Sequence, residues 1–233
     1  SDKIVHVEIR DLRIHKNSLI RILKIGFPSG TQSAVFAIAN LVIQSAINSL
    51  GTTVIAASSA ALNLELFAYY VLSSFSQACT TFVGQNYGAG KIERCKKTLR
   101  LCLLEDAIAS VTAILLILVF GKFLLSFFSN DPEVIEIAYT RLLIVFTAYI
   151  SSMLYEVMSG YLRGFGISLI PAIIATVGVC LVRIVWIHTV FPVHRTFQTI
   201  MMAYPISLTT TALLIFIALI VYRPSRRYAG KKV

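Results

Sequence analysis

The chain has 233 residues, 57% of them hydrophobic and 14% charged, with a mean hydropathy of +0.78, which leaves no room for a sizeable soluble domain. Its formal net charge of +10 invites a nucleic-acid reading, but the 21 Lys and Arg residues fall in polar segments between long apolar stretches, not on one face interleaved with aromatics. That distribution belongs to a chain threaded through a bilayer whose basic segments meet anionic headgroups, so the bilayer is an expected partner and nucleic acid is not.

Residues 1–25 open at Ser1 with a charged stretch that has no apolar core, so no signal peptide is expected. Asn17 and Ser18 stand as helix caps ahead of Leu19, and the opening reads as a cut upstream of an interior helix. Runs of roughly 20 apolar residues are needed to cross ~30 Å of hydrocarbon as helix. Six can be marked, at 26–50, 53–83, 101–120, 135–162, 167–191 and 197–222, giving an all-α integral membrane chain with both ends on one side.

In the first span Ser29, Ser33, Ala37, Asn40, Gln44 and Asn48 fall within an arc of about 100°. One face therefore meets protein or water, either packing through small and amide side chains or lining a cavity. Pro28 is expected to bend this helix. The second span repeats the pattern: Ser58, Glu65, Tyr69, Ser73, Ser76 and Thr80 share about 80°. Glu65 lies near the bilayer midplane, where an ionised carboxylate costs several kcal/mol unless paired or hydrated. It is read as a candidate ion-coupling group, against a neutral acid or a structural ion pair with Arg183 of the fifth span.

The fourth span places Tyr149, Ser152, Glu156, Gly160 and Arg163 on one face, so Glu156 is either a second coupling candidate or the partner of Arg163. Ahead of it, Ser129 to Glu133 start a helix by ordinary chemistry, with a capping side chain, Pro132 at the first position and acids in the first turn. Cys79, Cys95, Cys102 and Cys180 have no metal-ligand spacing and read as inert thiols. His6 and His15 lie on the cytoplasmic arm, and His188 and His194 bracket the outer loop with no acidic partner nearby, so all four read as surface or interfacial residues.

Flanking charge sets the orientation. Lys3, Arg10, Arg13, Lys16, Arg21 and Lys24 precede the first span, a second basic group lies at 91–100, and a third at 223–232. With Arg163 these make 17 basic residues, against Lys122, Arg141 and Arg195 on the other side, so both termini are expected in the cytoplasm. The string from Gly84 to Lys91 fails as a phosphate loop, because five residues separate Gly84 from Gly90 and Ile92 follows the lysine. No metal pair or nucleophile elbow occurs either, and no enzyme is expected.

Thr81 to Lys91 closely resembles the link after the eighth helix of the multidrug and toxic compound extrusion (MATE) family. So, in the same order, do Ile25-Gly26-Phe27-Pro28, Ser129 to Val134, Leu162-Arg163-Gly164-Phe165-Gly166, Leu181-Val182-Arg183-Ile184 and Ala203-Tyr204-Pro205-Ile206-Ser207. The resemblance implies one six-helix lobe, helices seven to twelve, of a twelve-helix, two-lobe transporter. Residues 1–25 would be the cytoplasmic inter-lobe linker, 26–222 the transmembrane lobe and 223–233 a basic cytoplasmic tail.

It further implies an antiporter of the plasma membrane that exports amphipathic, cationic drugs or toxic compounds in exchange for Na⁺ or H⁺, with no other cofactor. Its partners would be the amino-terminal six-helix lobe and small organic substrates. Ser33, Asn40, Gln44, Tyr69, Ser73, Tyr149 and Ser152 would line the cleft, Glu65 and Glu156 would respond to the ion, and a Na⁺ near Glu65 is the candidate metal. The first span lacks the acid many relatives carry there, and Ile167-Ser168 replaces the usual Asp-Thr, so the coupling ion does not carry over. A lipid-linked oligosaccharide flippase of the same superfamily and a non-transporting membrane interaction protein are the alternatives.

Overall fold

The computed structural model describes residues 13–227, apart from the side chains of Arg21, Ile25, Ser29, Arg226 and Arg227. The described residues form helices joined by short links, without strands. In chain order these are α1 (Lys16–Asn48), α2 (Thr52–Gly88), α3 (Ile92–Val119), α4 (Gly121–Ser126), α5 (Pro132–Phe146), α6 (Tyr149–Gly164), α7 (Leu169–Ala175), a π-helical stretch (Thr176–Leu181), α8 (Val182–Thr189), α9 (Phe197–Met201), α10 (Ala203–Tyr222) and α11 (Pro224–Arg227). Five runs are long and apolar enough to cross a membrane: α1, α2, α3, Leu169–Thr189 and Phe197–Tyr222. The pair α5 and α6, bent by 49° at their junction, makes a sixth.

The spans fall where hydropathy puts them, and the differences are local. Helix α1 begins at Lys16 with His15 as an N-cap that makes no side-chain bond, so Asn17 and Ser18 lie inside the first turn and cap nothing. It continues through Pro28 as one helix, and it extends back into the segment expected to be linker. Residues 1–12 of that segment and 228–233 of the tail lie outside the described residues. Helix α2 runs on to Gly88, so the turn before α3 is only Ala89 and Gly90, and Gly90 takes the left-handed φ of 71° that suits a residue without Cβ. Asp131 caps α5 as expected, its carboxylate accepting from the Glu133 N–H at 2.9 Å behind Pro132.

Helix α2 forms the spine, packed along α3, α5 and α6, while α10 covers α6 and the π-helical stretch, and α1 lies over α7 and α8. In lipid the hydrophobic effect does not drive helices together, so close fit and interhelical hydrogen bonds must do it. The α2–α6 seam is built that way. A Cβ on Gly160 would sit 2.5 Å from the Ser76 carbonyl oxygen, and one on Gly164 would sit 2.6 Å from Val83. Through that close approach the Ser76 hydroxyl donates to the Glu156 carbonyl at 2.8 Å, and that of Thr80 to the Gly160 carbonyl at 3.1 Å. The lower half of the polar arc of α2 is thus helix-to-helix glue. Gly178, in the π-helical stretch, makes an equally close contact with Thr211 of α10.

Candidate functional site

The upper half of the arc opens onto a cavity of about 350 Å³ between α1, α2, α5, α6, α8 and α10. At its wall the carboxylate of Glu65 is held by Arg141 of α5. Arg141 Nε donates to Oε1 at 2.5 Å and Nη2 to Oε2 at 2.8 Å, while Nη1 donates to Ser58 Oγ at 2.5 Å. Glu65 is 5% and Arg141 2% exposed. This is the two-pronged fit that only a guanidinium offers a carboxylate, and it satisfies both acid oxygens.

The bend between α5 and α6 makes the arrangement possible. Arg141 comes from the first half, and Tyr149, the first residue of the second half, donates its hydroxyl to the Glu65 carbonyl at 3.0 Å. Both halves of the broken span therefore clasp the same turn of α2. At the break the Thr147 hydroxyl donates to the Ile144 carbonyl at 2.6 Å, a back-bond of the kind that bends helices.

Two sequence expectations are corrected. Arg183 does not pair with Glu65, because α8 packs on α1 and α10 while α5 is the helix that lies on α2. Arg141 does not belong to the charge of an outer flank, because it is buried in the bundle; only Lys122 and Arg195 remain there. Arg183 instead donates from Nε to Ser207 Oγ at 3.0 Å, and its guanidinium carbon lies 4.2 Å from the Tyr204 ring centroid. Arg141 lies 5.7 Å from the same ring. Among the described residues Arg183, 6% exposed, has no ion-pair partner. A desolvated cation–π contact offsets about 2 kcal/mol or more, comparable with the ~2.5–3.5 kcal/mol an arginine costs at the centre of a membrane helix, but it brings no counter-charge.

Of the other sequence-predicted residues, Asn40, Gln44, Tyr69, Tyr149 and Ser152 line this cavity together with Glu65 and Arg183. Gln44 donates to Asn48 Oδ1 at 2.8 Å along α1. Ser33 is exposed and outside the lining, and Ser73 also lies outside it, its hydroxyl donating to the Tyr70 carbonyl at 3.3 Å. The side chain of Ser29 lies outside the described set. Glu156 is not in the lining either. It accepts from Tyr155 Oη at 2.6 Å and lies 3.6 Å from Arg163 Nη2, the ion pair allowed for in the sequence.

Sequence reading missed Arg141, Tyr155 and Tyr204 in the lining, and missed Asp106 of α3 altogether. Asp106 is fully buried; Oδ1 accepts from Ser110 Oγ at 2.6 Å, and Oδ2 has no partner. Its signal was available, since an acid inside the apolar run 101–120 is costly by itself. The four cysteines are free and buried.

The MatE family model matches residues 28–187, well over half of the chain. The chain is 28% identical over 163 residues to a probable multidrug resistance protein NorM of Thermotoga maritima, covering 70% of this chain and 35% of that protein. It is 25% identical over 166 residues to the probable multidrug resistance protein YoeA of Bacillus subtilis, covering 71% and 36%. Its fold superposes with a TM-score of 0.81 and 17% identity on an outward-facing multidrug resistance MATE transporter of the MOP superfamily, covering 94% of this chain and 49% of that one. The matched stretch thus spans about a third of these curated relatives, and the chain about half of the solved transporter. With six apolar spans around one polar cavity and this family match over residues 28–187, the chain belongs to the MatE family of transporters.

Proposed function

We propose that the chain is one lobe of a cation-coupled exporter of amphipathic organic compounds, working with an amino-terminal six-helix lobe that closes the cavity from the other side. The observation that carries this reading is the Glu65–Arg141 fork in the cavity wall. Both carboxylate oxygens are engaged, so a Na⁺ or a proton arriving at Glu65 competes with Arg141 for the carboxylate charge. Two mutually exclusive partners for one carboxylate give two states whose balance a cation gradient biases. Tyr69 and Tyr149 offer aromatic surface beside the fork, and alternating access comes from the two lobes rocking about the cavity. With the basic clusters facing the cytoplasm, both termini lie on the cytoplasmic side of the plasma membrane.

The cationic substrate implied by the family resemblance has no counterpart in the charge of this cavity, since the one acid in its lining is already paired. A flippase is not favoured by the two curated relatives described above, which are probable multidrug resistance proteins by name. The test is flux in proteoliposomes carrying the chain with its companion lobe, under an imposed Na⁺ or proton gradient and normalised to folded protein. Glu65→Gln should abolish or alter the dependence on the gradient. Unaltered dependence reduces Glu65 to the structural partner of Arg141.

A further inference from the structure

We propose that the cavity holds an amphipathic organic anion, a carboxylate or phosphate oxyanion on an aromatic or apolar body, with Arg183 as its electrostatic anchor. The inference rests on the exporter reading of this cavity and names its substrate class. Three charged side chains line the space: Glu65, Arg141 and Arg183. The first two cancel in a fork that uses both carboxylate oxygens. What remains is one guanidinium, which cannot lose its proton in a protein, set in an apolar span against the Ser207 hydroxyl and the Tyr204 ring and, among the described residues, in no ion pair.

A buried, permanently positive group without a counter-charge is disfavoured unless something brings one. Tyr204 stacks on the guanidinium and lies within reach of Arg141 too, so the ring holds Arg183 in place without neutralising it. Asn40 and Gln44 of α1 border the same space, giving amide donors to an oxyanion, while Phe36 and Leu208 provide apolar surface for its body. A cation entering here would meet Arg183 uncompensated and would have to break the Glu65 fork to find a partner.

Trp186, the single tryptophan, stands one helical turn from Arg183 on α8 and serves as a native fluorescence donor. The 233-residue chain in phosphatidylcholine nanodiscs would be titrated with three pyrene amphiphiles: 1-pyrenebutanoate, 1-pyrenyl phosphate and (1-pyrenylmethyl)trimethylammonium. The proposal expects both anions to bind with a Kd at least about tenfold below that of the cation. Arg183→Gln should remove that preference and Arg183→Lys should keep part of it, with helical circular dichroism verifying each variant. The wild-type comparison needs no variant to fold. Equal or tighter binding of the cation, no binding of any probe, or an anion preference that survives Arg183→Gln would each overturn it. The titration uses no gradient, so anion-selective binding without gradient-driven flux would remove the exporter reading and leave the anion site standing.

Discussion

Glu65 and Arg141 stand or fall together. Removing one partner of a buried ion pair leaves an uncompensated charge and costs about 3–5 kcal/mol, whereas removing both often costs little. Glu65→Gln and Arg141→Gln should each lower the thermal unfolding midpoint of the purified chain in detergent, and the double variant should lie above both. A double variant that falls by the sum of the singles would mean that the fork contributes no coupling. Asp106 behaves differently because it has no cationic partner: Asp106→Asn keeps an acceptor for Ser110 and removes a carboxyl with an orphaned oxygen. Its midpoint should match or exceed that of the parent, and a clear drop would show that the carboxyl is held by something not yet identified. Glu65 was legible in the sequence because a single acid in a long apolar run announces itself. Its partner was not, because Arg141 lies ten residues into a helix that begins at a loop, and only the packing of α5 on α2 turns it inward.

At the scale of elements, six apolar runs predicted six spans; five fall on helices long and apolar enough to cross a membrane, and the fourth falls on the bent pair α5 and α6. Helix ends followed local chemistry where a side chain made the cap, as at Asp131, and departed from it where the helix simply continued, as at Asn17, Ser18, Gly84 and Gly88. Two breaks were invisible in sequence. The 49° bend at Thr147 and Ala148 has no proline or glycine to mark it, and the π-helical stretch at Thr176–Leu181 is an adjustment of register around the contact of Gly178 with Thr211. Gly160 tests the packing directly. In Gly160→Ala the new methyl would sit 2.5 Å from a backbone oxygen, which cannot swing away, so the α2–α6 seam must open. Overpacking of this kind costs about 1–3 kcal/mol, and the thermal midpoint should fall, whereas Gly26→Ala, inside α1 with open space around its Cβ, should leave it unchanged or raise it. An unchanged midpoint in Gly160→Ala would contradict the close approach.

For the whole molecule, orientation is read from charge and accessibility. Cys95 is buried and unsuited to labelling, but Lys91 at the N-cap of α3 and Thr52 at the start of α2 are both exposed. Cysteines placed there should react with impermeant reagents from opposite faces, Lys91→Cys only from the cytoplasmic side and Thr52→Cys only from outside. Labelling of both from one face would sink the six-span topology. The lobe also leaves Asn40 and Tyr69 exposed within its spans, and polar groups facing hydrocarbon are costly enough that a covering surface is expected. Such a covering surface is what the proposed companion lobe would supply. The most direct measurement is uptake of fluorescent amphiphiles of either charge into proteoliposomes under an imposed Na⁺ or proton gradient, with the 233-residue chain alone and with an amino-terminal MATE lobe co-expressed beside it. Gradient-driven accumulation only with the companion lobe is the predicted result; accumulation by the chain alone would contradict it.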